Sequence, residues 1–406
     1  MTARRHGIDW RLAPAGAFLF ILPFSHTVAL RLACLFLAAV VALQATWRQE
    51  RPDLPCRWPL ALWAAVCALS LAWSIDPAYS RKELTNEVGY SLLAFLTFFY
   101  LTRDERSWRF WKAALAAGCA AASLAAIGHL VRIPLWPDDG LVGGRNEFST
   151  YVALVMPLLA VSFAQAGRRR ERLAVLAIAV LAAGSAYFTL NRTMWLALFA
   201  EAAILGWLHA GRSAATGRRR AARTFILLAA CIAFAGAFVA ASQMKSGAEE
   251  IDAQTLRATV ERDLRWQIWS YGIERIGERP LLGHGYGRGI LRDDFRAHID
   301  NPFAWHAHSV ILNYALEAGM VGVVVLFVLA GCFARTFWKL YRAPERGVWM
   351  AGAFGLALLL GAAVKTATDD IVVRENALLF WSLAGMGLGY ARHASMRPRD
   401  RDEPAA

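Results

Sequence analysis

Long apolar runs, separated by short stretches in which arginine gathers, constrain this chain more than any other feature. A helix crossing a bilayer needs about 20 largely apolar residues, and lipid offers no partner to backbone groups left outside a helix or a closed barrel. Such runs cover residues 12–26, 28–47, 58–74, 86–102, 108–131, 148–166, 172–190, 193–210, 222–241, 308–334, 347–366 and 371–391. They predict an all-α integral membrane protein of about 12 transmembrane helices. Hydrophobic residues make up 57% of the chain and mean hydropathy is +0.36, which excludes an ordinary soluble globule. The first two runs are parted only by Ser25-His26-Thr27, so the first is expected to stay as a span and not to be cleaved as a signal peptide.

The cations set an orientation. With the N-terminus in the cytoplasm, inner segments hold Arg48, Arg51 and Arg57, then Arg103, Arg106, Arg109 and Lys112, then Arg168 to Arg170 and Arg172. Further inner groups are Arg218 to Arg220, Arg335, Lys339, Arg342 and Arg346, and Arg392, Arg397, Arg399 and Arg401 in the tail. Short outer loops carry far fewer, which is the asymmetry of the positive-inside rule and puts both termini in the cytoplasm. The net charge of +13 is therefore a topology signal, and no nucleic-acid partner is expected. Cys34, Cys56, Cys67, Cys119, Cys231 and Cys332 fall in spans or on the cytoplasmic side, so no structural disulfide is expected. No histidine or cysteine spacing suits zinc, and no metal or cofactor is expected.

This organisation divides the chain into a bundle of spans 1–9 (residues 1–241), an outer insertion (242–307), spans 10–12 (308–391) and a charged tail (392–406). An insertion of that length is usually functional. Its first half, Glu249 to Ile276, has helical patterning with an apolar face that includes Trp266, Ile268 and Trp269. It predicts an amphipathic helix at headgroup depth, ended by Pro280. The insertion concentrates Arg257, Arg262, Arg265, Arg275, Arg279, Arg288, Arg292 and Arg296 and ends at His306-Ala307-His308.

A neutral imidazole at His308, beside fixed cations that disfavour its protonation, suits a general base near neutral pH. From residue type alone a capping or interfacial histidine is equally open. His306 reads as a neighbour that packs or positions substrate. Arg192 sits in the short turn Thr189-Leu190-Asn191-Arg192-Thr193 between apolar runs, where a charge needs a partner or a wet cavity; snorkelling is the alternative. Arg145 follows Gly143-Gly144, and Arg81 and Lys82 precede the fourth run, so these cations extend the same outer positive surface. Asp369, with Lys365 and Asp370 in the last outer turn, could orient the histidine, pair an arginine, or cap the final span. The Gly283-His284-Gly285-Tyr286-Gly287-Arg288-Gly289 run follows a helix, not a strand, and is no dinucleotide fingerprint. Arg31 and Glu201 lie inside spans and call for structural partners.

Read together, four stretches resemble the bacterial O-antigen ligase and polymerase superfamily of multi-span glycosyltransferases. Gly144-Arg145-Asn146-Glu147-Phe148 resembles its glycine-x-asparagine loop, and Asn191-Arg192-Thr193-Met194-Trp195-Leu196-Ala197 its arginine element, with Asn191 where serine is common. Pro280-Leu281-Leu282-Gly283-His284-Gly285-Tyr286-Gly287 resembles its glycine loop. His306-Ala307-His308-Ser309, with Glu317-Ala318-Gly319 and Gly322, resembles its histidine element. The likeness covers roughly residues 140–325.

The resemblance implies a bacterial inner-membrane enzyme with a C-type glycosyltransferase-like architecture and an active site on the periplasmic face, in lipopolysaccharide biosynthesis. The donor would be O-antigen polysaccharide on undecaprenyl pyrophosphate and the acceptor a sugar hydroxyl of lipid A–core, with membrane lipids around the protein. It implies His308 as base and Arg192 and Arg265 as pyrophosphate clamps, with Arg145, His306, Arg288, Arg81, Lys82 and Asp369 as further substrate contacts, in a metal-independent inverting transfer. The alternative in the same superfamily is an O-antigen polymerase on the same donor. A protein O-oligosaccharyltransferase fits less well, because the stretch after Tyr390 is short. A lipid-linked glycan transporter would spread charges along a path across the bilayer, whereas these gather at one face.

Overall fold

The computed structural model describes residues 10–47, 53–133, 136, 140–212, 236, 264–370 and 374–396, and every regular element among them is helical. In chain order these are α1 (Ala13–Ile21), α2 (Val28–Trp47), α3 (Arg57–Leu69), α4 (Pro77–Glu83), α5 (Tyr90–Leu101), α6 (Glu105–Arg132) and α7 (Arg145–Gln165). They continue with α8 (Arg169–Tyr187), α9 (Arg192–Arg212), α10 (Leu264–Glu278), α11 (Arg292–His298), α12 (Val310–Tyr341), α13 (Arg346–Thr366) and α14 (Arg374–Met396). A π-helical turn, Leu84–Gly89, joins α4 to α5.

Among the described residues six helices are long and apolar enough to cross a membrane: α2, α6, α7, α9, α12 and α13. Several expected spans are shorter as helices. Pro23, which cannot donate a ladder hydrogen bond, follows the end of α1. The third run leaves its α-helix at Leu69 for a 3₁₀ turn, Ser70–Ala72. The ninth run, 222–241, lies outside the described residues apart from Gly236, as do Asp138-Asp139, the stretch 249–263 of the amphipathic helix with Arg257 and Arg262, and tail residues 397–406.

Helix starts follow local chemistry. Asp104 accepts a hydrogen bond from the Ser107 N–H at 2.7 Å and so caps α6. Packing then takes over. In the bundle α13 lies against α7, α9, α12 and α14, and α14 runs along α5. Gly385 and Gly389 set the backbone of α14 directly on that of α5, at Phe95 and Phe99, the close approach that small residues allow between membrane helices. Trp63 stacks on Trp381 with ring centroids 5.0 Å apart, and Trp108 on Tyr390 at 5.1 Å. Arg31 of α2 pairs with Glu375 of α14 at 3.1 Å. Glu201 is buried against Gly361 of α13, its carboxylate oxygens without a hydrogen-bond partner among the described residues.

One helix is broken on purpose by the chain that precedes it. Inside α12, Gly319 has φ +65° and ψ −166°, which interrupts the backbone ladder. The loop after α10 fills the gap. His284 N–H donates to Leu316 O at 2.7 Å and Gly285 N–H to Glu317 O at 2.9 Å, while Met320 N–H donates to Pro280 O at 2.8 Å and Val321 N–H to Leu281 O at 3.4 Å. A Cβ on Gly319 would collide with the backbone of Leu281, and one on Gly283 (φ +67°) with that of Glu317. The glycine loop and the Glu317-Ala318-Gly319 stretch are thus two halves of one joint.

Three expectations change. The tenth apolar run begins as a helix only at Val310, so His308 stands in the loop before it, because Asn313 and His306 hold residues 307 and 308 out of the helix. The helix after residue 264 buries Ile268 and Gly272 while Trp266 and Ile273 face outward, so only part of its apolar face packs on the bundle. Cys56, at the start of α3, is disulfide-bonded to Cys332 of α12 with their Cα atoms 6.0 Å apart. The sequence could not show that these distant positions adjoin.

Gly319→Ala is expected to destabilise the protein by about 1–3 kcal/mol, the usual cost of overpacking, with a further penalty for the positive φ. Denaturant unfolding in detergent, compared with Gly331→Ala at an open position of the same helix, measures it; equal midpoints would dismiss the joint.

Candidate active site

The starts of α7 and α9 meet at one end of the bundle. Arg145 is the first residue of α7 and Arg192 the first of α9. Asn191 Oδ1 accepts from Met194 N–H at 3.2 Å and from the Thr193 hydroxyl at 2.8 Å, so it caps α9 as a serine would. Its Nδ2 donates to Asn146 Oδ1 at 2.8 Å, tying the two helix starts together. Exposed N–H groups and the helix dipole add positive character there. Arg265 from α10 and His308 complete a cavity of about 390 Å³. Its wall also includes Asn146, Asn191 and Thr193 and the apolar Leu264, Ile268 and Phe303.

The histidine loop is seated by a small apolar cluster of Ile268, Ile290, Leu291, Phe295, Ile299, Ala304, Ala307 and Leu316. Trp269 Nε1–H donates to Ala307 O at 2.8 Å. Asn313, one turn into α12, accepts from Ala307 N–H at 2.9 Å and donates to Asp370 at 2.5 Å. Under these restraints His308 adopts φ +49°, a left-handed conformation that few non-glycine residues take and that often marks function. Its backbone N–H donates to His306 Nδ1 at 3.0 Å, which assigns the His306 proton to Nε2. The His308 Nε2 lies 3.2 Å from Phe303 O. A ring nitrogen facing a carbonyl must donate, so Nδ1 is left as the basic atom.

Burial pushes the His308 pKa below the ordinary histidine value and Arg265 pushes the same way; the Phe303 carbonyl, Asp369 and Asp370 oppose. His306, 4% exposed, is held far lower by burial, then by His308, Arg288 and Arg292. Both rings are neutral at neutral pH, and they touch, with centroids 3.8 Å apart.

The other sequence candidates are distributed around this centre. Asp369 forms a buried ion pair with Lys365 at 2.6 Å and reaches His308 only through its field. Arg288 and Lys82 line a second cavity of about 730 Å³, together with Arg292, Trp305, Tyr79, Glu83, Asn86 and Glu87. Arg81, exposed on α4, lines neither cavity. Arg275 pairs with Asp294 at 2.8 Å and with Glu278, and so serves the loop itself. Asn146 belongs to the glycine-x-asparagine stretch noted in the sequence, whereas Asn313 and Trp305 were not singled out there. Asn313, a polar residue in the first turn of an apolar run, was the readable signal among them.

Residues 177–327 match the family model described as O-antigen ligase. The match takes in α9, α10, the glycine loop, both histidines and the joint in α12; α7 with Arg145 lies before it. No curated protein matches the chain.

A base whose proton affinity is lowered stays unprotonated to more acid pH. Turnover that depends on His308 should be flat above about pH 6.5, the unperturbed histidine value, and fall only below it. A protonation limb centred above pH 7 in kcat/KM would assign the base elsewhere.

Proposed function

We propose that this chain, an O-antigen ligase family member by its residues 177–327, is a membrane glycosyltransferase that moves polysaccharide from undecaprenyl pyrophosphate to a sugar hydroxyl of lipid A–core at the periplasmic face of the inner membrane. The observation that carries this reading is the meeting of Arg145, Arg192 and Arg265 with a neutral His308 around one cavity. Guanidinium forks suit phosphate oxygens, and the apolar Leu264, Ile268 and Phe303 in the same wall suit a carrier that is anionic at one end and greasy at the other.

In this reading His308 Nδ1 takes the proton of the acceptor hydroxyl. The oxygen attacks the anomeric carbon, the bond from that carbon to the pyrophosphate oxygen breaks, and its electron pair leaves with the pyrophosphate. Attack opposite the leaving group inverts the anomeric configuration. Charge builds on the leaving oxygens, where the arginines are already placed and need little reorganisation. Fixed cations of this kind can take the part that a divalent ion plays elsewhere, so the transfer is proposed to need no metal. Asp369 and Asp370 would ease the transient imidazolium through their field.

His308→Ala should lower transfer from carrier-linked glycan by about 10²–10⁴-fold, the usual weight of a general base, with folding intact. Survival of activity would move the base to another residue, His306 being the first to test. Arg192→Ala and Arg265→Ala should each cost about 10²–10³-fold in kcat, as for other preorganised donors; unchanged turnover and donor affinity would remove the clamp. Product should form in EDTA, and its loss on chelation would sink the metal-free step. Offering lipid A–core and a second carrier-linked repeat to the purified protein separates ligase from polymerase.

A further inference from the structure

The second cavity opens among the start of α2, α4 with its π-helical turn, the loop after α10, and the start of α14. It shares a wall with the first. Trp305 faces it, the His306 ring touches Trp305 with centroids 4.1 Å apart, and His306 touches His308 at 3.8 Å. On its side of Trp305, Arg288 and Arg292 both lie over the indole, at 4.7 and 5.0 Å. Such stacking holds guanidiniums in place and keeps their N–H edges for a ligand.

Its lining differs in kind from that of the first cavity. Lys82, Glu83 and Asn86, with Tyr79, line the same space as the arginines, a mixture of donors and acceptors that suits the hydroxyls of a sugar. With Arg31 held by Glu375, cations still outnumber carboxylates, which favours an anionic group on that sugar. The π-helical turn Leu84–Gly89 contributes Asn86 and Glu87 to this lining, and such turns are frequent at functional sites. A two-substrate transfer needs the nucleophile delivered to the base from a direction other than the leaving group's. Cavity two lies across the Trp305, His306 and His308 rings from the first.

We propose that this second cavity binds the acceptor through a phosphorylated or otherwise anionic sugar, and that Arg288, Arg292 and Lys82 hold the charge while Trp305 separates acceptor from donor. The inference rests on the function proposed above, but binding tests it without turnover. The probe is phosphorylated core oligosaccharide freed of its lipid, beside the same oligosaccharide after phosphatase treatment. Both are titrated against the full-length protein in detergent.

Wild type should bind the phosphorylated form at least tenfold more tightly. Arg292→Gln should erase that preference, Arg292→Lys restore part of it, and Lys82→Gln, on an exposed helix surface, weaken it without disturbing the stack on Trp305. Arg265→Gln, in the other cavity, should keep it. Equal binding of the two forms by wild type would overturn the inference. So would loss of the preference in Arg265→Gln with retention in Arg292→Gln and Lys82→Gln. In the transfer assay Arg292→Gln and Lys82→Gln should raise acceptor KM and leave donor KM unchanged; the reverse pattern would give the cavity to the donor. Binding that holds while transfer to lipid A–core fails would sink the ligase reading and leave the cavity standing. Transfer with acceptor KM unchanged in both variants would do the opposite.

Discussion

The loop that leads to the two histidines depends on a helix that does not complete itself. Between Glu317 and Met320, α12 gives up part of its ladder, and the segment Pro280–Gly285 supplies the missing donors and acceptors. In an apolar setting an unmet backbone group costs several kcal/mol, so neither partner is stable without the other. The joint fixes the loop against the bundle at four hydrogen bonds. From there the chain carries Tyr286 into the core, where its ring meets Tyr314, and sets Arg288 at the second cavity. The break also leaves the first turns of α12 anchored by loop contacts at Leu316 and Glu317, just below Asn313 and the histidines.

On this foundation the proposed function asks the site to reconcile two demands that usually conflict. Anionic phosphate wants a concentration of positive charge, and a general base wants to remain unprotonated without losing its reach. In the proposed reading burial first, and the Arg265 guanidinium with it, disfavour the imidazolium, while the arginines of the same cavity supply positive charge for the anion. Asp369 and Asp370 stand far enough back to moderate that field without occupying the cavity. His308, held in a left-handed backbone conformation, lines the same cavity as the arginines.

Much of this site was legible as chemistry and little of it as geometry. His308, Arg192, Arg265 and Arg145 stand out because charged or titratable side chains are costly beside apolar runs, and all line one cavity. Arg81 and Arg288 looked alike on the same argument, yet one faces solvent and the other a cavity. Asn191, a departure from the serine of the resembled pattern, proves equivalent because either side chain accepts from the third N–H of the helix. The break at Gly319 could not be read, since a glycine in an apolar run looks the same whether it packs against a neighbour or bends the chain. For the same reason Cys56 and Cys332 carried no sign of being neighbours.

The sequence by itself determined the class of the molecule, a helical membrane protein with cations gathered around a histidine pair, because hydropathy and charge act residue by residue through transfer free energy. Only the tertiary structure decided which cations share a cavity with His308, where α12 breaks, and that Trp305 and His306 divide one polar end into two chambers. Those facts arise from contacts between elements distant along the chain, α7 with α9 and α10 with α12 at the first cavity, and α2, α4, the loop after α10 and α14 at the second. Long-range packing and the satisfaction of backbone groups across a break leave no periodic trace in the residues that make them.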